Sequence, residues 1–257
     1  MCLILFAYDC HPQYKLVVAA NRDEFYNRPT LPAAFWPDIP SFLAGKDLKE
    51  GGTWMGITTS GRFAAITNYR DPSYYIPHSP SRGQLVKKYL NSDHTPVNFL
   101  ENLINSGLEY NGFNLLVGNF ETLYYYCNRV RKIRKITPGV HGLSNNLLDV
   151  PWPKVTKGIK FLTQCIEQDD IMAEDLFAIM ADTEQPEEKL LPHTGISWEW
   201  EKILAPIFVS SQSYGTKSTT LLLVDHNKHV RFWERSFIPG KSAIEKEVFY
   251  EFDLVSD

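Results

Sequence analysis

Residues 1–25 read MCLILFAYDCHPQYKLVVAANRDEF, and the folding of this stretch decides how the rest of the chain is read. Leu3 to Tyr8 is an apolar and aromatic run that ends at a turn-like cluster, Asp9-Cys10-His11-Pro12. Tyr14 to Ala20 resumes the pattern with Leu16, Val17 and Val18. The two runs form a β-hairpin, and their nearly continuous apolar residues bury both faces. With the turn centred on His11-Pro12, residues whose numbers sum to about 22–24 face each other across the ladder. Cys2 then lies opposite Ala20 to Arg22, and Asn21-Arg22-Asp23-Glu24 leave the strand end beside it. Four consecutive polar residues are an unusual strand exit, where one turn residue suffices.

Outward from this hairpin, Arg28-Pro29 and the Pro32 to Pro40 region break regular structure. A second hairpin joins Gly52 to Thr58 with Arg62 to Asn68, turning at Ser60-Gly61. Helices follow from Ser81 to Leu90 and from Val97 to Ile104, the second closed by Gly107. Strands return at Phe113 to Val117 and Leu123 to Val130. Val155 to Ile166 and Ala173 to Met180 are amphipathic helices, with Ile159, Leu162 and Ile166 on one face. The chain closes with strands at Thr219 to Val224, Val230 to Trp233 and Val248 to Phe252, the first two joined by a turn over Asp225 to Lys228. Hairpins dominate, so the fold class is α+β and not a doubly wound sheet. With no Gly/Ser-rich linker and no repeat, residues 1–257 read as a single domain.

Composition bounds the function. The chain has 257 residues, 44% hydrophobic and 22% charged, enough for a buried core and a formed pocket. A net charge of −4 provides no basic field for nucleic acid or anionic lipid. The one basic run, Arg129 to Lys135, alternates with Val130 and Ile133 and suits the solvated face of a strand. Cysteines at 2, 10, 127 and 165 have neither zinc-ligand spacing nor the density of a disulfide framework, which points to a reducing compartment. The apolar start lacks a charged n-region, and no later apolar run reaches the ~20 residues of a membrane helix. A soluble, cytoplasmic protein without integral membrane contact is expected.

Cys2 carries the sharpest chemical signal. Removal of Met1 would expose a cysteine whose own α-amine, with an ordinary pKa of about 7.7–8.0, can act as base. Nucleophile and base would then share one residue. The competing interpretation is a small buried cysteine opening a core strand. Arg22 could hold a thiolate or a substrate carboxylate, and Asp23 could orient the amine or the arginine. A surface turn closed by an Arg–carboxylate pair fits the same residues.

Asn21-Arg22-Asp23-Glu24-Phe25, with Asn27-Arg28-Pro29, resembles the motif that names the NRDE family, the transport and Golgi organisation protein two family. Further segments are similar to it: Met1-Cys2-Leu3, Gly51 to Gly56, Thr67-Asn68-Tyr69-Arg70, Gly142-Leu143-Ser144-Asn145 and Tyr214 to Thr220. The resemblance implies a four-layer αββα Ntn-hydrolase-like sandwich, two antiparallel sheets packed face to face and flanked by helices. It also implies kinship with cysteine amidases such as penicillin V acylase, bile salt hydrolase and acid ceramidase. By position, Cys2, Arg22 and Asp23 match their nucleophile, arginine and aspartate; Asn68 matches the oxyanion asparagine and Asn145 the later one. Those amidases separate the arginine from the aspartate by two residues, whereas here they are adjacent, so Asp23 and Glu24 compete for the carboxylate role. For Asn68 and Asn145 the alternative is a turn residue bonding local backbone.

Gly215-Thr216-Lys217-Ser218 resembles a phosphate loop, but Gly and Lys are not adjacent and Leu221 to Val224 is strand, which excludes nucleotide hydrolysis. Tyr214 and Lys217 are candidates for lining a ligand pocket or for bonding within the strand. Trp54 and Tyr124-Tyr125-Tyr126 are candidates for an apolar pocket or core. No histidine spacing suits a metal and no cofactor is called for, although Cys10-His11-Pro12 could hold haem iron if it were not a turn. Two functions follow. The first is a cysteine hydrolase acting on a non-peptide amide or thioester of a small or acyl-bearing molecule. The second, for which the family's link to haem and lipid handling speaks, is a non-catalytic carrier of haem or acyl-coenzyme A.

Overall fold

The computed structural model describes residues 2–255; Met1 and the side chain of Cys2 lie outside it. In chain order the elements are β1 (Cys2–Tyr8), β2 (Tyr14–Phe25), β3 (Thr30–Trp36), β4 (Ile39–Asp47), β5 (Met55–Thr58), β6 (Phe63–Asn68), α1 (Gly83–Leu90) and α2 (Pro96–Asn105). They continue with β7 (Phe113–Gly118), β8 (Leu123–Cys127), β9 (Lys132–Lys135), β10 (Gly139–Leu143), α3 (Pro153–Ile166), α4 (Ala173–Met180) and α5 (Trp198–Ile203). Three strands finish the chain: β11 (Tyr214–Asp225), β12 (His229–Phe237) and β13 (Ile244–Asp253). The class is α+β, with two antiparallel sheets.

The chain divides into two compact units, one built from residues up to Asn27 and Thr137–Glu251, the other from Arg28–Ile136 and residues from Phe252 on. The first holds a six-stranded sheet in the order β10-β1-β2-β11-β12-β13. One face is covered by α3 and α4: Leu3, Leu5, Ala7, Val17, Ala19, Leu221 and Leu223 pack against Val155, Leu162, Leu176, Phe177 and Met180. The residues between these point to the opposite face, as the strand period of two requires. Pro153 occupies the first turn of α3, where its missing N–H costs nothing.

The second unit holds a seven-stranded meander, β3 to β9 in sequence order, with α1 and α2 on it. Here the expectation of irregular structure over Pro32 to Pro40 is corrected: both prolines lie in strands, β3 and β4. β3 is the sheet edge, where a strand residue without an N–H is tolerated, and the register shifts around both prolines. β9 is the opposite edge. Its Lys132, Arg134 and Lys135 are exposed, so the basic run does face solvent, and an edge strand so charged resists pairing with another chain.

Tyr89 anchors α1 to this sheet. It is fully buried and donates to the Gly118 carbonyl at 2.8 Å; burial pushes its phenol up to about 12. The fold therefore favours the neutral phenol, and that stabilisation is present below the ordinary pKa of about 10 and is lost as pH rises toward 12. Tyr89→Phe should cost about 1 kcal/mol at pH 9. Chemical denaturation from pH 9 to 12 should show that advantage of wild type shrinking and then reversing.

Candidate functional site

The hairpin register places Cys2 opposite Arg22, the outer end of the range that the sequence arithmetic allows. β2 does not end at Ala20 as expected; it runs to Phe25, and β11 pairs along it from Phe25 back to Tyr14. Asn21, Arg22 and Asp23 are thus buried strand residues rather than an exposed exit. Strand geometry divides them, since Asn21 and Asp23 turn to the helix-covered face and Arg22 turns to the face of Cys2.

Asn21 is fully engaged. Its amide donates to the carbonyls of Met180, at the end of α4, and Ile207 at 2.8 and 2.9 Å, and accepts from Thr219 Oγ1 at 2.6 Å. The Asp23 carboxylate accepts from Thr216 Oγ1 at 2.7 Å, and that same oxygen takes the Val209 N–H. Tyr214 donates to the Asp23 carbonyl at 2.8 Å while its ring packs with Leu204 and Val209. Lys217 donates to the Tyr26 carbonyl at 3.1 Å. Glu24 is half-buried, and its Oε1 accepts from the Phe25 N–H.

On the other side of β1, β10 pairs so that Phe6 faces His141 and Ile4 faces Leu143. Asn145 follows two residues later, beyond that last pair and toward Cys2; it is completely buried. The loop bearing it is closed by Asp149, which sits at φ +64°. Asp149 Oδ1 accepts the Gly142 N–H at 3.0 Å, its own N–H bonds the Gly142 carbonyl, and Oδ2 lies 2.9 Å from His141 Nδ1. His141 Nε2 meets the Thr137 carbonyl at 3.0 Å. Both ring nitrogens lie within hydrogen-bond distance of an oxygen, so the ring is held between Asp149 and the Thr137 carbonyl.

The face shared by Cys2 and Arg22 changes character row by row. Phe6, Val18, Leu222 and Phe232 form an apolar row; Ile4, Ala20, Thr220 and Glu234 follow, with Thr220 donating to Glu234 at 3.1 Å. Cys2, Arg22, Ser218 and the half-buried Ser236 make the third row, so polarity concentrates where the N-terminal residue lies. Sequence reasoning singled out none of Ser218, Glu234, His141 and Asp149, although Ser218 lies within the Tyr214 to Thr220 segment. Asn68 closes β6 opposite Phe113, and the Trp54 ring lies against Gly45, where a Cβ would come within 2.3 Å of it. Both belong to the second unit.

The turn holds its histidine firmly. His11 Nδ1 accepts the N–H groups of Gln13 and Tyr14 at 3.1 and 3.2 Å, and Nε2 meets the Gln168 carbonyl at 3.2 Å, leaving neither nitrogen open to iron.

Residues 1–239 match the family described as Transport and Golgi organisation 2. The mouse Transport and Golgi organization 2 homolog is 37% identical over 277 residues, covering 100% of each chain. Among solved structures, a mutant conjugated bile acid hydrolase from Clostridium perfringens aligns with TM-score 0.54 at 10% identity, over 99% of this chain and 92% of that one. The Caenorhabditis elegans ortholog of N-acylethanolamine-hydrolyzing acid amidase aligns with TM-score 0.51 at 8% identity, over 86% and 92%. Both structures have the Ntn-hydrolase fold, and this chain shares it.

Two substitutions separate support from chemistry. Asn21→Ala strands two carbonyls and a hydroxyl; at ~1–3 kcal/mol each the loss should reach about 3–5 kcal/mol. Calorimetry should show a Tm drop of roughly 10 °C. Asp149→Ala should cost less globally, about 2–3 kcal/mol, and raise hydrogen exchange selectively across residues 139–149.

Proposed function

The chain belongs to the Transport and Golgi organisation 2 family, and on that footing we propose that it is an N-terminal-nucleophile cysteine hydrolase acting on a non-peptide amide or thioester. The observation that carries this reading is the pairing of Cys2 with Arg22 at the polar end of a buried sheet face, with Asn145 arriving from the other side. Two structures of the same fold lend support: one is named as a hydrolase of conjugated bile acids and the other as an amidase that hydrolyses N-acylethanolamines. In the first, the mutated residue is a cysteine at position two replaced by alanine.

With Met1 removed, the α-amine takes the proton of the Cys2 thiol as the sulfur attacks the carbonyl. A C–S bond forms, the C–N or C–S bond of the substrate breaks, and the ammonium returns the proton to the leaving group. Water then adds to the thioester, releasing the acid and regenerating the thiol. Asn145 supplies a hydrogen bond to the oxyanion, worth about 2.7–4 kcal/mol for one such donor. The matching role of Asn68 rests on the family resemblance, as do ligand contacts from Glu24, Trp54, Tyr214 and Lys217. Arg22 holds the thiolate. A cytoplasmic setting belongs to the same reading and is supported by the cysteine spacing.

One observation favours a carrier of haem or acyl-coenzyme A instead. Asp23, being adjacent to Arg22, turns to the opposite face and bonds Thr216, so the arginine shares the Cys2 face without it.

Intact mass of natively expressed protein, before and after a thiol-reactive acyl probe at pH 7, decides between them. Burial pushes the thiols of Cys10, Cys127 and Cys165 above their ordinary values, so they compete weakly at that pH. Loss of Met1 with one fast adduct at Cys2, absent in Cys2→Ala, is the expected result. A retained Met1, or labelling confined to the other cysteines, would move the assignment to the carrier. Saturable haem or acyl-coenzyme A binding that survives Cys2→Ala would then establish it.

A further inference from the structure

Ser218 stands two strands from Cys2 in a row that continues to Ser236 on β12. It pairs with Arg22, which pairs with Cys2, so all three belong to one face of the sheet. Its side chain is buried, at 5% exposure, and its hydroxyl finds no hydrogen-bond partner among the described residues. The polar side chains around it in β11 are committed: Thr216 to Asp23, Lys217 to the Tyr26 carbonyl, Thr219 to Asn21 and Thr220 to Glu234.

The strand is shaped to produce this arrangement. Between Thr216 and Ser218 the register shifts, and Lys217 is the extra residue of a bulge. In a regular strand residues 216 and 218 would share a face. The bulge instead lets Thr216 reach Asp23 on the helix-covered face while Ser218 joins Arg22 on the other. A buried hydroxyl without a partner destabilises a fold, and alanine would fill the same strand position. A residue that costs stability beside a candidate nucleophile is explained by what it binds.

We infer that Ser218 is a ligand-contacting residue of the Cys2 site, selecting acyl compounds that carry a hydrogen-bonding group well away from the reacting carbonyl. The inference rests on the nucleophile assigned to Cys2 above. Adjacent strands lie about 4.8 Å apart, so Ser218 is about 10 Å across the sheet from Cys2. A ligand joined to Cys2 crosses over Arg22 to reach it. At roughly 1.2 Å per bond of extended chain, that span takes about six to eight bonds. The ligand class is therefore an acyl donor with an oxygen or nitrogen at that distance, on either the acyl chain or the leaving group, rather than a plain alkyl acyl compound.

Two probe pairs test this, with acylation of Cys2 read as a rate by intact mass. The first is p-nitrophenyl heptanoate against its omega-hydroxy analogue, which places the hydroxyl on the acyl side. The second is the S-acetyl ester of hexanethiol against that of mercaptohexanol, which places it on the leaving side. In wild type the hydroxylated member of at least one pair should react about 5-fold faster, the effect of one hydrogen bond. In Ser218→Ala that advantage should vanish, and the Tm should be unchanged or raised. A preference that survives the substitution, or that wild type lacks in both pairs, overturns the inference while leaving Cys2 its role. So does a lowered Tm, which would show that the hydroxyl serves the fold through a bound water only. If none of the four compounds acylates Cys2, the nucleophile assignment itself fails and Ser218 falls with it.

Discussion

The register between β1 and β2 is the constraint on which the first unit depends. Side chains alternate with a period of two, so a slip of one residue would either carry Leu3, Leu5 and Ala7 out of the helix-covered core or send Arg22 into it. Two local devices pin that register. At the turn, the His11 ring accepts two backbone N–H groups and reaches the Gln168 carbonyl, closing the hairpin at a defined residue. At the other end the Asn21 amide can meet its three partners only if it points to the helix side. Cys2 faces Arg22 because both ends of the hairpin are fixed by polar contacts that no shifted pairing would satisfy.

This arrangement explains an otherwise odd feature, four polar residues buried at the end of an apolar strand. They divide by face into two tasks. Asn21 and Asp23 bind the strand to backbone and hydroxyl groups of β11, α4 and the segment after α5, which lets the sheet continue past its apolar part. Arg22 is left on the face of the N-terminal residue. Adjacency of arginine and aspartate, which departs from the spacing of the cysteine amidases, thus has a simple geometric consequence: the two side chains serve opposite faces.

Much of this was legible in sequence where periodicity and turn chemistry agree. The first two hairpins, α3 and α4 follow from apolar runs bounded by Pro, Gly and Asp, and simple arithmetic brings Cys2 to Arg22. The misses share a cause, local chemistry overridden by tertiary context. Pro32 and Pro40 signal irregular backbone, yet an edge strand tolerates the first and a shift in strand register the second. Asn21 to Glu24 signal an exit, yet a neighbouring strand and helix end supply their partners. β10 is short, with glycines at 139 and 142, and it is strand because β1 lies beside it. Ser218 was legible only as part of the Tyr214 to Thr220 segment, with nothing to single it out from its neighbours. Its lack of a partner arises from a bulge, and a bulge is a property of the paired strand rather than of the residues in it.

The same logic bears on how the site tolerates change. Asn21 ties β2 to the last carbonyl of α4, and Asp149 ties β10 to the loop that carries Asn145. Both supports stand behind the sheet end rather than in the row of Cys2, Arg22 and Ser218. Each is a closed set of hydrogen bonds, so losing one member strands the others, and the penalty grows with the number left unpaired. The row itself follows a different rule, because Ser218 has a hydroxyl that folding alone does not use. Stability resides in the network behind the sheet end, and the Ser218 hydroxyl on its other face is the group that the proposed ligand completes.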